Sequence, residues 1–371
     1  MTSVEPGRFV YTTCQVGAEA ALKKELGREH PELRFAFSRP GFVTFKLSSE
    51  RAPLGPDFAL RSVFARCHGL SLGPVGADAL SVDERARQVL QAIARRPRAG
   101  ASSPSPVLHV WERDRFAPGE EPLDPEPDAR TRRVVDALHE QATTLPELAV
   151  DLNSPATPGQ LVHDLVLVED RQWWAGVHRH GPGRSPHPGG RPDLCLPADA
   201  PSRAYLKLEE GLQWCGAGLH PGDTAVEIGS APGGASYALL QRGLRVVGID
   251  PAVMHPGVLA HPHFVHIARS FDTVRWEDLP HPVHWLLLDM NVPPRFALRA
   301  VQRLFQLAHD GLLGLLLTFK LNQWQLADQI PGLLRQLRAM GLEQVSARQL
   351  AHNRQEFFVS ARTAAGRDRR A

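Results

Sequence analysis

Thr224-Ala225-Val226-Glu227-Ile228-Gly229-Ser230-Ala231-Pro232-Gly233-Gly234 is the stretch whose reading decides the fold of the second half of the chain. An apolar, β-branched run enters a glycine-rich turn, and a helical pattern opens at position 234. Glycines let a backbone approach a ligand closely, and amides at a helix start meet polar ligand groups. The order is G-x-x-P-G-G, whereas a dinucleotide-binding turn needs G-x-G-x-x-G. The proline also removes an amide that a phosphate would use. Taken alone, the loop reads either as a plain strand-to-helix turn or as a cradle for an adenosyl ligand without a pyrophosphate. Asp250 closes the following strand, 21 residues beyond Gly229, where a carboxylate can accept hydrogen bonds from both hydroxyls of an adenosine ribose.

Working outward, the alternation continues. Strands are predicted over 224–228, 245–249, 264–267, 284–288 and 312–319, with two more near 343–349 and 355–361. Helices are predicted over 203–215, 234–242, 294–308 and 323–340. This order specifies an α/β fold with a doubly wound sheet, in which ligands lie at the carboxyl ends of strands. The first fifty residues read differently, with strands over 9–14, 33–37 and 42–47 and a helix opening at Val16. That βαββ order suits a ferredoxin-like α+β unit. A second α+β region follows, with helices over 82–96 and 130–141, a strand over 107–111 and a hairpin of 161–168 with 172–178. A surface loop rich in proline and acid covers 113–128, and 180–192 reads as a linker or substrate-facing loop. The resulting division is 1–55, 56–180, a linker at 181–196, and 197–371.

Three charged residues stand where a doubly wound sheet gathers its ligands. Asp289 closes the apolar strand His284-Trp285-Leu286-Leu287-Leu288, Lys320 closes the strand that starts at Leu312, and Lys207 lies on the helix leading into the domain. A lone lysine is ordinarily a solvated surface charge, but one that ends a buried apolar strand points into the crevice. Such a set suits methyl transfer to a ribose 2′-hydroxyl, a very weak acid whose oxygen must be aligned and whose proton must be accepted as the bond forms. A lysine acts as base when desolvation or a second cation depresses its pKa. Two lysines with carboxylates between them are expected to make one lysine less basic while holding both in place. Glu356 in the terminal strand is a candidate for the second carboxylate, although its position alone reads as surface.

The segment Pro197-Ala198-Asp199-Ala200-Pro201-Ser202-Arg203-Ala204-Tyr205-Leu206-Lys207-Leu208-Glu209-Glu210 resembles the entry segment of the FtsJ-type ribose 2′-O-methyltransferases, in particular the bacterial large-subunit ribosomal RNA methyltransferase M group. The G-x-x-P-G-G turn, Leu288-Asp289-Met290, Phe319-Lys320-Leu321 and Ala347-Arg348-Gln349-Leu350-Ala351-His352-Asn353-Arg354-Gln355-Glu356 follow in that group's order. The resemblance implies a Rossmann-like methyltransferase sheet and a catalytic set of Lys207, Asp289, Lys320 and Glu356, with Lys320 as proton acceptor. It also implies an S-adenosylmethionine site lined by Ser202, Gly229, Ser230, Ala231, Pro232, Gly233, Gly234, Asp250 and Asp289, with Ser270 at the position that holds the adenine amino group. The N-terminal half is then expected to carry a ferredoxin-like unit and a THUMP-like RNA-binding region. The expected substrate is a cytidine of 23S ribosomal RNA, methylated before the subunit is assembled. This sequence departs from the pattern at Ala235, where an aromatic residue is usual, at Glu227, where aspartate is usual, and at Ser270, with Asp272 close enough to substitute.

Composition bounds these readings. With 371 residues, two or three domains are expected, and 43% hydrophobic with 22% charged residues fits a soluble globular protein. The longest apolar run, 311–319, is strand length, and the opening Met1-Thr2-Ser3-Val4-Glu5-Pro6 lacks a leader pattern, so a cytoplasmic, non-membrane protein is expected. Cys14, Cys67, Cys195 and Cys215 have no metal-ligand spacing, and the 17 histidines lack the pattern of a zinc site, so no metal is expected. The net charge of +2 decides nothing by itself. The arginines placed to track phosphates are Arg95, Arg96, Arg98, Arg130, Arg132, Arg133, Arg367, Arg369 and Arg370. A small-molecule O-methyltransferase and a catalytically inactive RNA-binding protein that kept the fold are the alternatives, and a monomer is expected.

Overall fold

The computed structural model describes residues 7–76, 80–95, 105–120, 129–144, 150–308 and 311–369. Two compact units share the chain, Met1–Asp193 and Leu194–Ala371.

The first unit begins with β1 (Phe9–Thr13), α1 (Glu19–Glu29), β2 (Leu33–Arg39) and β3 (Phe42–Leu47). It continues with β4 (Cys67–Val75), α2 (Val82–Ala94), β5 (Val107–Glu112), α3 (Ala129–Thr144), β6 (Asp151–Leu152), β7 (Leu161–Glu169) and β8 (Gln172–Arg179). All eight strands form one sheet in the order β2-β3-β1-β4-β8-β7-β5-β6, so the opening βαββ segment and the following α+β region are joined edge to edge through β1 and β4. β4 is a strand the sequence analysis does not predict, because Gly69, Gly73 and Pro74 read as breakers. Gly69 has a packing reason: a Cβ there would lie 2.7 Å from the ring of Tyr11, and Gly176 on β8 faces the same ring. Tyr11 is fully buried there beside Phe42, Trp111 and Val166. α2 and α3 cover the other part of the sheet through Leu90, Val134, Leu138, Leu165 and Trp173, and Ser81 with Glu84 closes a capping box at the start of α2. Trp174 stacks on Phe37 at 5.5 Å and donates to the Ser71 hydroxyl, which makes it part of the hairpin packing. In the glycine- and proline-rich stretch after β8, Arg184 donates to the carbonyls of His68 and Phe58.

The second unit comprises α4 (Ala204–Cys215), β9 (Thr224–Ile228), α5 (Gly234–Gln241), β10 (Arg245–Ile249), α6 (Pro256–Leu259) and β11 (Phe264–Ile267). After these come β12 (Trp285–Asp289), α7 (Pro294–Ala308), β13 (Gly314–Lys320), α8 (Ile330–Ala339), β14 (Glu343–Arg348) and β15 (Glu356–Arg362). The sheet order is β11-β10-β9-β12-β13-β15-β14. β11, β10, β9, β12 and β13 are parallel, and β15 runs antiparallel between β13 and β14. The chain moves outward from β9 through β10 to β11 and then returns to β12 on the other side, so the switch point lies between β9 and β12. Trp285, Leu239, Leu240, Leu244, Leu287 and Phe358 anchor the core, and a carboxylate of Asp223 accepts the Trp285 indole N–H at 3.1 Å. The helix expected over 323–340 is α-helical only from Ile330, with a 3-10 turn over Trp324–Gln329 before it. Pro331 explains the change: it lacks an amide and its ring would clash with the carbonyl four residues back, so it belongs in a first helical turn. Among the described residues no helix is long and apolar enough to cross a membrane.

Candidate active site

The carboxyl ends of β9, β10 and β12 converge on the glycine-rich turn. Gly229 sits at a φ of +78°, where an added Cβ would stand 2.6 Å from the carbonyl of Asp289. Only glycine permits that approach of the two strand ends. Gly233 adopts a φ of +115°, and Gly234 packs against Ser202, whose carbonyl would lie 2.7 Å from a Cβ. Ser202 and the loop are thereby fixed to one another. Ser230 is buried with its hydroxyl 3.6 Å from the Met254 sulfur. The Asp250 carboxylate accepts from the amides of Ala231 at 3.1 Å and Ala252 at 2.8 Å, and His266 bonds its carbonyl. Ser270 lies on the exposed turn after β11, where its bond is to Asp272, whose carboxyl that bond holds below its usual range.

Lys207, Asp289, Lys320 and Glu356 come together at the same rim. Lys207 Nζ lies 2.5 Å from Asp289 Oδ2 and 3.3 Å from Glu356 Oε1. Lys320 Nζ lies 2.6 Å from Asp289 Oδ1 and pairs with Glu356 Oε2. The four charges alternate in a closed ring drawn from one helix and three strands. Topology explains how a residue 36 positions from Lys320 reaches it. β13 ends at Lys320 where antiparallel β15 begins, and the register pairs Lys320 with Glu356 directly. Each of the four side chains is at most 17% exposed. Burial opposes charge, yet the two lysines hold the Asp289 carboxyl below its usual range. Burial likewise works against the Lys320 ammonium, but Asp289 and then Glu356 outweigh it and raise its pKa. That reverses the expectation that the ring makes one lysine less basic: without ligand, two carboxylates against one neighbouring ammonium leave Lys320 firmly protonated.

Four further buried residues, Glu210, His352, Gln349 and Glu227, lie on or beside the elements that carry the ring. Glu210, one turn beyond Lys207 on α4, accepts from the amides of Ala351 at 2.8 Å and His352 at 2.7 Å, and its carboxylate lies 2.8 Å from His352 Nδ1. The pair is buried and fastens the turn leading into β15 to the helix that carries Lys207. Gln349, fully buried, donates to the Arg354 carbonyl within the same turn. Glu227, 2% exposed in the middle of the sheet, accepts from the Ser236 hydroxyl at 2.5 Å. Burial pushes its carboxyl up to about 8, with the negative charges of Asp289 and Asp250 adding to the effect. Sequence reasoning passes over Glu210 and His352; the signal available for them is a charged residue three positions from Lys207, on the same helix face.

Residues 200–328 match the family described as FtsJ-like methyltransferase. That stretch lies in the second unit, which is thus similar to FtsJ-like methyltransferases from just before α4 to the turn ahead of α8. The relatives that the chain matches bear a common name, ribosomal RNA large subunit methyltransferase M. The protein of Laribacter hongkongensis is 35% identical over 56% of this chain and 58% of its own length. That of Alkalilimnicola ehrlichii is 36% identical over 54% and 57%. In these two, the chain spans little more than half the length of the relatives it matches. The Halorhodospira halophila protein is 29% identical over 96% of this chain and 97% of its own. Every residue of the charged ring except Glu356 falls within the matched FtsJ-like stretch, and β15 carries Glu356 back beside it.

Proposed function

We propose that this chain transfers a methyl group from S-adenosylmethionine to a ribose 2′-hydroxyl of RNA, with a cytidine of 23S ribosomal RNA as the substrate. The observation that carries the reading is the closed ring of Lys207, Asp289, Lys320 and Glu356 beside the glycine-rich turn. The donor set fits the ligand: a carboxylate of Asp250 for ribose hydroxyls and backbone held close by Gly229 and Gly233. When bound, S-adenosylmethionine supplies an electrophilic methyl on a positively charged sulfur. Lys320 receives the 2′-hydroxyl and aligns its oxygen. A positive charge held beside it would let Lys320 release its own proton to solvent, and Lys320 would then accept the hydroxyl proton as the methyl leaves sulfur for the ribose oxygen. Lys207 shares both carboxylates with Lys320, so each proton change at Lys320 is met by charge already in place. A positioned base contributes about 10²–10⁴ to such a rate.

The first unit, on this reading, supplies a ferredoxin-like part and a THUMP-like RNA-binding part, and the enzyme acts in the cytoplasm as a monomer on RNA before subunit assembly. The test is transfer of labelled methyl to unmodified 23S ribosomal RNA by wild type and by Lys320→Ala. Label on a ribose, lost in the variant, supports the reading. No transfer to any RNA, despite cofactor binding, overturns it and turns attention to a small-molecule acceptor.

A further inference from the structure

α7 buries one face through Ala297, Leu298, Ala300, Val301 and Leu304. Its outer face carries Arg295, Phe296, Arg299 and Arg303, and the helix contains no acidic residue. Arg303 has a structural task, donating to the carbonyls of Val274 and Phe271. Arg295 and Arg299 have none of this kind: their guanidinium carbons lie 4.8 and 5.6 Å from the centre of the Phe296 ring, and among the described residues neither forms an ion pair. Phe296 is 41% exposed, an apolar ring left open in the first turn of a helix whose Leu298, Val301 and Leu304 pack inward. A cation in a first turn opposes the helix dipole, and a phenylalanine in water gains nothing, so helix stability explains neither choice.

Position gives them a use. In a parallel sheet, a helix starts at the rim where the strand before it ends. Four residues, 290–293, separate Asp289 from α7, so the start of α7 lies on the rim that holds the charged ring. Phe296 is seven residues from Asp289 and, at roughly 3.5 Å per extended residue, no more than about 25 Å from it. An exposed ring flanked by two guanidinium groups that pair with no carboxylate among the described residues matches a nucleotide, with the base stacked in the ring's cluster and the phosphates on the arginines. An acidic protein segment would use the arginines and leave the ring bare.

We propose that Phe296, with Arg295 and Arg299, is a stacking platform for a base of single-stranded RNA within a few nucleotides of the methylated ribose. The proposal rests on the RNA reading above and names where that RNA lies. Its test uses the full chain, with unmodified 23S ribosomal RNA transcript as probe, and measures both RNA binding and methyl transfer. Phe296→Ala is expected to weaken RNA binding and raise KM for RNA about 10-fold or more, with Phe296→Trp restoring both. Arg295→Gln with Arg299→Gln is expected to reduce the slope of log K against log salt by about 1.4, the value for two phosphates of a single strand. Saturated kcat and the Kd for S-adenosylmethionine stay at the wild-type level in all three. Unchanged RNA affinity in Phe296→Ala and in the double arginine variant overturns the platform, and a protein partner becomes the candidate occupant. If wild type transfers no methyl to RNA, the functional reading fails separately, and RNA binding by these variants alone decides the platform.

Discussion

Glu227 offers a prediction whose size follows from the structure. Its carboxyl is buried at 2% exposure, accepts the Ser236 hydroxyl and is pushed from an ordinary 4.5 up to about 8. Below pH 4.5 the group is protonated whether the chain is folded or unfolded. Between 4.5 and about 8 the unfolded chain releases the proton while the folded chain keeps it. Stability then falls by about 1.4 kcal/mol for each pH unit, or about 5 kcal/mol across the window, and no further above it. Glu227→Gln keeps an acceptor for Ser236 and cannot titrate, so it removes this loss. Urea unfolding of the ligand-free chain, wild type against Glu227→Gln, isolates the effect, because titrations elsewhere cancel in the difference. The variant is expected to gain on wild type steadily from pH 5 to 8, by several kcal/mol in total. Curves that stay parallel within about 1 kcal/mol over that range would refute the buried neutral carboxyl.

Other expectations follow from single contacts. Glu210→Ala strips a buried carboxylate from two amides and a histidine, a loss of about 3–5 kcal/mol, and Glu210→Gln loses less; hydrogen exchange over 349–356 should rise in both, and unchanged exchange would mean the turn holds without Glu210. Glu356→Gln removes one of the two carboxylates that raise the Lys320 pKa, so the limb of the pH–rate profile that reports Lys320 deprotonation should move to lower pH; a limb that stays put would separate Lys320 from proton transfer. Gly229→Ala combines a φ of +78° with a carbonyl 2.6 Å from the new Cβ and should cost about 2–6 kcal/mol. Gly216→Ala, at a φ of +56° in open space, should cost about 1 kcal/mol, and equal losses in thermal unfolding would contradict the crowding at Gly229.

What the sequence discloses, and what it hides, divides along physical lines. β9, β10 and β12 are legible because they are buried on both faces and read as mainly apolar runs, interrupted in β9 by Glu227, and Asp250 and Asp289 are legible because each polar residue ends such a run. β4 is hidden because Gly69 answers to the ring of Tyr11, 58 residues away, and that demand leaves no local trace. Arg96, Arg98 and Arg370 of the expected phosphate-tracking set lie outside the described residues. Within the set, Arg130 is engaged by Glu112 and Asp170, Arg367 by Glu343 and Arg369 by Asp223, whereas Arg295 and Arg299, which no spacing rule selects, pair with no carboxylate among the described residues. Glu356 is the sharpest case. Position alone reads it as a surface residue because the period of a strand says which face a side chain takes but not which neighbour the strand has. The antiparallel insertion of β15 beside β13 turns the first residue of one strand toward the last of the other. A carboxylate that looks peripheral in the sequence thereby becomes the fourth charge of a ring that Lys207, Asp289 and Lys320 cannot close by themselves.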